Sequence, residues 1–231
     1  MTLRLELLSA GTFSSGVGTP AEVDTDTLTD AIGLPFIRGK ILKGLLVEAC
    51  ADIMFALSEL QVHKEVSAKQ YAALRDAAKF LFGQPGSLAS DKAKLSISSA
   101  TIATELIDAL KYALEHNHQG FSKEAIRSAF SYLRAQTSVT VWGLPERGSL
   151  RQMRVIRKGE CFFADLSFGA PLDTLSKGLL AACVLSVHRA GTARNRGPGR
   201  LKLTLHEKQV DITQSAYESF KAEFGSQYET A

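Results

Sequence analysis

The sequence is poor in the residues that mark secreted, membrane-embedded or metal-rich proteins. Its three cysteines, Cys50, Cys161 and Cys183, lie in apolar neighbourhoods, which predicts buried thiols in a reducing compartment rather than a disulfide framework. No apolar run is long enough to cross a bilayer, and the opening MTLRLELLSAG lacks the hydrophobic stretch of a signal peptide. The five histidines show no metal-ligand or triad spacing, and a serine nucleophile elbow is absent. We therefore expect a cytoplasmic protein without a membrane partner.

Excess charge is also scarce, but what there is lies in one place. The net charge of +3 over 231 residues does not by itself indicate a polyanionic partner. However, the segment HRAGTARNRGPGRLKLTL carries Arg189, Arg194, Arg196 and Arg200 and no acidic residue. Glycines let a backbone approach a ligand closely and arginines neutralise phosphates, whereas the alternative is a solvated turn whose arginines pair with acids elsewhere. The segment matches neither the Walker nor the dinucleotide pattern, which disfavours a nucleotide cofactor.

A second basic group stands where a helix is expected to begin. In LPFIRGKILKGLL, Arg38, Lys40 and Lys43 surround the start of a helix predicted over Gly39–Leu57. Cations at a helix N-terminus oppose the helix dipole, so their presence suggests that a bound polyanion compensates them. The alternative is that Lys43 merely faces solvent.

Acidic residues are concentrated in one loop, EVDTDTLTDAIG, which holds Asp24, Asp26 and Asp30. Spaced carboxylates on a loop can hold a divalent cation or act as a base, although most such runs are solvated turns. The single tryptophan, Trp142, precedes a glycine at a predicted strand end. It can stack on a base or belong to the core or a sheet edge.

The hydrophobic periodicity predicts an α+β protein of one domain, 1–231. Thr2–Leu8 alternates as a strand, and Ser67 and Ser122 are expected to cap helices that run to Phe82 and to about Leu133. Three strand-like runs follow in the order TSVTVWG, LRQMRVI and CFFADLSF; then come an apolar helix over Leu172–His188, the strand LKLTL and a last helix. Two strand–helix–strand units fit an antiparallel sheet with helices on one face, as in ferredoxin-like or RRM-like folds.

Taken together, these motifs resemble the RAMP superfamily of CRISPR-associated proteins, and most closely the repeated backbone subunit of type III effector complexes. That family carries an I-D-x-x-V-x-x-D segment, then G-L-P-x-I-P-G-S-S-L-K-G, and near its end R-x-R-G-x-G-R. Here VDTDTLTDAIGLPFIRGKILKG and RNRGPGRLKL occur in the same order. The similarity extends through LRAQTSVTV and GSLRQMRVI, so it covers nearly the whole chain.

The resemblance implies a role, a fold elaboration and a set of residues. It implies a helical insertion and a β-hairpin thumb around 137–149, and a subunit that binds guide CRISPR RNA beside further copies of itself and other effector subunits. It also implies cutting of a complementary target RNA at regular intervals in antiviral defence, by Asp24 with a divalent cation, Mg²⁺ or Mn²⁺. The residues that it implies contact RNA are Arg38, Lys40, Lys43, Arg134, Thr137, Arg151, Arg194, Arg196 and Arg200.

The sequence departs from the family pattern at three places. The family's histidine is missing from the first loop, which reads SAGTFSSG; Arg38–Ile41 replaces P-G-S-S; and Thr140 stands where the family has an acid. Three alternatives therefore stay open. They are a standalone CRISPR RNA-processing endoribonuclease with His188 as its candidate base, a scaffold paralogue that cuts nothing, and a module that binds no nucleic acid.

Overall fold

The computed structural model describes residues 1–14, 23–63, 66–84, 92–116, 120–138, 140–146, 148–194 and 197–225. The strands are β1 (Thr2–Leu7), β2 (Leu95–Ile97), β3 (Ser131–Gln136), β4 (Arg151–Ile156), β5 (Cys161–Phe168), β6 (Leu201–Glu207) and β7 (Val210–Asp211). The helices are α1 (Gly39–Val62), α2 (Ala68–Phe82), α3 (Thr104–Glu115), α4 (Lys123–Phe130), α5 (Thr174–Ser186) and α6 (Thr213–Gly225).

The central element is an antiparallel sheet of five strands in the order β2-β5-β1-β6-β7. Four of its strands, β2, β5, β1 and β6, come from two units, β1-α1-α2-β2 and β5-α5-β6. Their order in the sheet is that of a ferredoxin-like fold. Strand β1 lies in the middle, with Leu5 opposite Phe162 on one side and Leu203 on the other. The predicted α+β fold with an antiparallel sheet is thereby confirmed.

The core lies between one face of this sheet and the helices. The alternation of β1 buries Leu3, Leu5 and Leu7 at 1% exposure or less, whereas the residues between them are only half-buried. Helix α5 is mostly apolar and packs against α1, α2 and α6, and its stretch from Gly178 to Val184 is buried throughout. One face of the sheet is therefore covered by helices, and a binding site can lie only at its edges, on its loops or on its other face.

Helices α2 and α4 begin at the serines that were predicted to cap them. Ser67 forms a full capping box with Gln70 at the start of α2, and the Ser122 hydroxyl accepts the Ala125 N–H at 3.0 Å at the start of α4. Helix α4 ends at Phe130, so the predicted end at Leu133 was wrong. Ser131 is already extended, at φ −143° and ψ 164°, and begins β3 directly.

The hairpin follows this helix, with its strands placed differently from expectation. Strands β3 and β4 pair in register from Ser131 opposite Ile156 to Gln136 opposite Arg151. The strand predicted over TSVTVWG was wrong: within the described part of 137–150, the chain makes a turn in which the Gly143 N–H donates to the Thr140 carbonyl at 2.9 Å. The described residues of 137–149 therefore belong to the loop at the end of the hairpin.

The three cysteines are free, but they are not all isolated from one another. Cys50 on α1 and Cys183 on α5 are both buried and hydrogen-bonded to each other, and this bond together with burial raises the pKa of Cys183 well above its usual range. Cys161 is half-buried, and its Sγ accepts a hydrogen bond from Arg4 Nη2 at 3.1 Å. Among the described helices, none is both long and apolar enough to span a membrane.

Candidate nucleic-acid interface

The basic loop, residues 188–200, is closed at its base and fastened to the chain that leaves β1. At the base, the Ala190 N–H donates to the Gly199 carbonyl at 2.9 Å, and the backbones of Arg189 and Arg200 form an antiparallel β-bridge. The Gly199 N–H in turn donates to the Ala10 carbonyl at 2.9 Å. The loop is thus held by backbone hydrogen bonds, which leaves its side chains available for other contacts.

Two glycines make this close backbone packing possible. Gly199 has φ +77°, and a Cβ there would lie 1.9 Å from the Ala190 carbonyl oxygen. Gly191 has φ +88°, and a Cβ there would lie 2.5 Å from the Thr12 carbonyl oxygen. These two glycines therefore serve contacts within the chain, rather than the approach of a ligand that the sequence suggested. Gly197, at φ +101°, faces open space.

The arginines of the loop differ in what they contact. Arg194 makes a bidentate ion pair with Glu48 on α1, with Nη1–Oε2 at 3.0 Å and Nη2–Oε1 at 2.7 Å. This hydrogen bond lowers the pKa of Glu48. Arg200 is exposed, while its backbone N–H donates to Ser9 Oγ at 2.9 Å. Arg196 lies outside the described residues.

The start of α1 presents the second basic group beside this loop. Arg38 occupies the N-cap position without a side-chain cap, and Lys40 is exposed. Gly39 is needed at the first helical position because a Cβ there would lie 2.0 Å from the Ile97 carbonyl oxygen. Lys43 Nζ donates to the Leu95 carbonyl at 2.9 Å, so this lysine does not merely face solvent and is tied to β2.

The three loop aspartates have three different environments. Asp26 is 12% exposed and forms ion pairs with Arg127 of α4 and Arg154 of β4. Asp30 Oδ1 accepts the backbone N–H groups of Ile32 and Leu34, which is a turn-forming role. Asp24 is exposed, and of these three it is the carboxylate that neither arginines nor a turn engage.

Asp24 is fixed to the base of the hairpin. Its N–H donates to the Gln152 carbonyl at 2.9 Å, and the Gln152 N–H donates to Asp24 Oδ2 at 2.7 Å. Among the described residues, Oδ1 has no hydrogen-bond partner. This reciprocal pair places the predicted catalytic carboxylate one residue from Arg151, at the start of β4.

The described residues do not form a cation site by themselves. No cluster of three or more His, Cys, Asp or Glu side chains capable of holding a metal occurs in the described ranges. Asp26, the carboxylate next to Asp24 in sequence, is already neutralised by two guanidinium groups. Asp24 alone would be a single ligand, which does not make a divalent cation site.

The hairpin contributes exposed polar and apolar groups. Arg134 is half-buried on β3, whereas Thr137 and Arg151 are exposed where the two strands end. Trp142, in a turn at the tip of the loop, is 86% exposed, so the alternative of a core or sheet-edge tryptophan is wrong. An exposed aromatic ring leaves base stacking as the interpretation that its position favours.

The segment after β1 joins these parts into one surface. Gly11 forms a bridge to Ile156 of the hairpin, and the Thr12 hydroxyl donates to the Arg154 carbonyl at 2.9 Å. The same segment carries the backbone contacts to Gly191 and Gly199 of the basic loop. The basic loop, the start of α1 and the hairpin with Asp24 are therefore brought to one region, although they are far apart in sequence.

Sequence analysis missed Glu48, which the structure joins to Arg194 of the basic loop. Glu48 lines a cavity with Thr12, Ile41, Gly44, Thr192 and Arg194. One signal was present: Glu48 is the first acidic residue after Lys40 and Lys43, and it shares a helix face with Gly44, four residues earlier.

Comparison with known proteins identifies the fold. No family model and no curated protein matches this chain. Among solved structures, it is similar to a chain in the cryo-EM structure of type III-B Cmr-beta in the apo state, with a TM-score of 0.61 and 13% identity over 90% of this chain and 98% of that one. It is also similar to a chain of type III-B Cmr-beta bound to cognate target RNA, with a TM-score of 0.58 and 13% identity over 87% and 95%. The fold is thus that of chains in a type III-B complex, in agreement with the resemblance drawn from the motifs.

Proposed function

We propose that this chain is an RNA-binding subunit of a type III CRISPR effector complex, in which copies of it repeat along the guide CRISPR RNA as a backbone. The observation that carries the proposal is the shared fold over 90% of this chain and 98% of a type III-B Cmr-beta chain. The motif order, which resembles that of the RAMP superfamily, supports the same proposal independently, because it depends on the sequence alone.

Guide binding is assigned to the basic loop and the start of α1. Arg194, Arg200, Arg38 and Lys40 provide positive charge on loops and at a helix terminus. Such side chains contact phosphates without reading base identity, which suits a subunit that must accept any guide. Lys43 donates one of its three ammonium protons to the Leu95 carbonyl, and the other two are available for a phosphate. Its proposed RNA contact is therefore compatible with this bond.

Target RNA is assigned to the hairpin and to Asp24 at its base. RNA cleavage proceeds by attack of the ribose 2′-oxygen on the adjacent phosphorus, with the 5′-oxygen of the next nucleotide as the leaving group. A carboxylate on a fixed backbone can orient the 2′-hydroxyl or accept its proton, and Asp24 has the required exposure. The need for Mg²⁺ or Mn²⁺ stays a prediction, since the described residues do not form a cation site.

Asp24→Asn tests the cleavage assignment. We expect the variant to assemble and bind target RNA as the wild type does, but to lose cutting of a complementary labelled target. The assay resolves fragments at single-nucleotide resolution with Mg²⁺, with Mn²⁺ and with a chelator. Asp30→Asn is the matched control, because Asp30 serves a local turn. Undiminished cutting by Asp24→Asn, or none by the wild-type complex, would leave the chain as a scaffold.

The number of copies bound to one RNA distinguishes the backbone role from the alternative, a standalone processing endoribonuclease. Native mass spectrometry of the chain co-expressed with a CRISPR array distinguishes the two. Several copies on one RNA support the backbone role. A single copy that cuts repeat RNA, with loss of cutting in His188→Ala, supports processing. His188 is exposed and its carbonyl accepts the Leu201 N–H at 3.0 Å, so its side chain can be replaced without removing that bond.

A further inference from the structure

The geometry points to Glu48 as an internal competitor that occupies Arg194 until the phosphodiester backbone of the guide RNA displaces it. This inference rests on the proposed guide-binding function. It adds that a neighbouring carboxylate weakens RNA binding by Arg194. Both Glu48 oxygens accept hydrogen bonds from Arg194, at 2.7 and 3.0 Å. The fork of the guanidinium that would meet a phosphate is therefore already filled by a carboxylate of similar shape.

The ion pair is placed so that it can be exchanged. The side chains of Arg194 and Glu48 are 38% and 52% exposed, and exposed pairs of this kind contribute little to stability. A phosphate can therefore replace the carboxylate without unfolding any element. The loop does not depend on the pair for its position, because backbone bonds at Ala190, Gly199 and Ala10 hold it in place.

The surroundings provide room for the incoming strand on both sides of the pair. Arg194 and Glu48 line two adjoining cavities, one toward Thr12 and Gly44, and the other toward Asp52 and His188. A Cβ built on Gly44 meets nothing within 4 Å, so the helix surface is open there. The Arg189 guanidinium donates to the Arg194 carbonyl at 3.0 Å, which keeps the backbone of Arg194 in place when its side chain turns.

The competition predicts that removing the carboxylate strengthens RNA binding through Arg194 alone. Glu48→Gln keeps the size and one acceptor oxygen but removes the charge. We expect this variant to bind a fluorescein-labelled single-stranded RNA of mixed sequence about two- to fivefold more tightly at low ionic strength. In an Arg194→Ala background, Glu48→Gln should give no gain, because no arginine is left to release.

The four proteins of this double-mutant cycle are compared by fluorescence anisotropy, and their thermal unfolding curves confirm that each is folded. Asp52→Asn is the matched control: Asp52 is exposed one turn further along the same helix and lines the same cavity, while both described guanidinium bonds of Arg194 go to Glu48. Its effect should be smaller and the same in both backgrounds.

Two kinds of result for Glu48→Gln would overturn the inference, and a third result would refute the function on which it rests. An equal gain from Glu48→Gln with and without Arg194 would mean simple repulsion of RNA by the carboxylate. Weaker or unchanged binding by Glu48→Gln would mean that Glu48 orients Arg194 or plays no part. Absence of RNA binding by the wild-type protein would instead refute the proposed guide-binding function itself, and that outcome is recognised before any variant is compared.

Discussion

Loss of the Asp26 carboxylate should destabilise the protein more than loss of either neighbouring loop aspartate. Asp26 lies where three segments meet: its own loop, α4 through Arg127 and β4 through Arg154. Asp26 Oδ1 also accepts the Thr27 N–H at 2.8 Å. Asp26→Asn would leave two positive charges without their carboxylate, in side chains that are 29% and 13% exposed.

The expected magnitude follows from these exposures. Breaking a fully buried ion pair by removing one partner costs about 3–5 kcal/mol. Because both arginines retain some contact with water, we expect roughly 2–3 kcal/mol for Asp26→Asn. Urea denaturation would measure this as a lower midpoint with an unchanged slope. Asp24→Asn, at an exposed position, should stay within about 0.5 kcal/mol of the wild type.

A loss below about 0.5 kcal/mol for Asp26→Asn would refute this reasoning, since it would place the cluster among surface charge pairs of no consequence. The result also bears on the proposed cleavage of target RNA. If an Asp26 variant loses both stability and cleavage activity, the loss of activity would be an indirect effect on the position of Asp24 against the hairpin. An Asp24 variant should lose cleavage activity without losing stability.

Two further substitutions test the contacts that hold the basic loop and the start of α1 in place. Gly199→Ala should cost about 3 kcal/mol in urea denaturation, because a left-handed backbone and a contact with the Ala190 carbonyl oxygen both oppose the new methyl group. Gly197→Ala is its control at about 1 kcal/mol, and equal losses would contradict the packing role of Gly199. Lys43→Met should cost about 1 kcal/mol through loss of its bond to the Leu95 carbonyl, and an unchanged midpoint would mean that this bond contributes nothing.

Local signals in the sequence were sufficient for most of the fold. Serines at 67 and 122 cap the helices that they were expected to cap, and the alternation in Thr2–Leu8 gave β1 to within one residue. The hairpin strand was misplaced because TSVTVWG is rich in β-branched residues, whose preference for strands depends on a partner strand to pack against. That partner, β4, pairs instead with 131–136, a stretch that follows α4 without any break signal.

The candidate site could be predicted only in its parts. Each basic or acidic group was visible as a local cluster, but the pair between Glu48 and Arg194 joins residues 146 positions apart. The bond from Lys43 to Leu95 and the pairing of Asp24 with Gln152 likewise span distant segments. Such contacts are set by how the elements pack, which no local pattern encodes.

The central claim, that the basic loop grips the backbone of an RNA, is tested most directly by the salt dependence of RNA affinity. The slope of log affinity against log salt is compared between the wild type and a variant with Arg194, Arg196 and Arg200 all changed to Ala. Each lost phosphate contact on a single strand lowers the slope by about 0.7, so we predict a slope that is shallower by about 2 and weaker binding without a change in sequence preference. An unchanged slope would contradict the account.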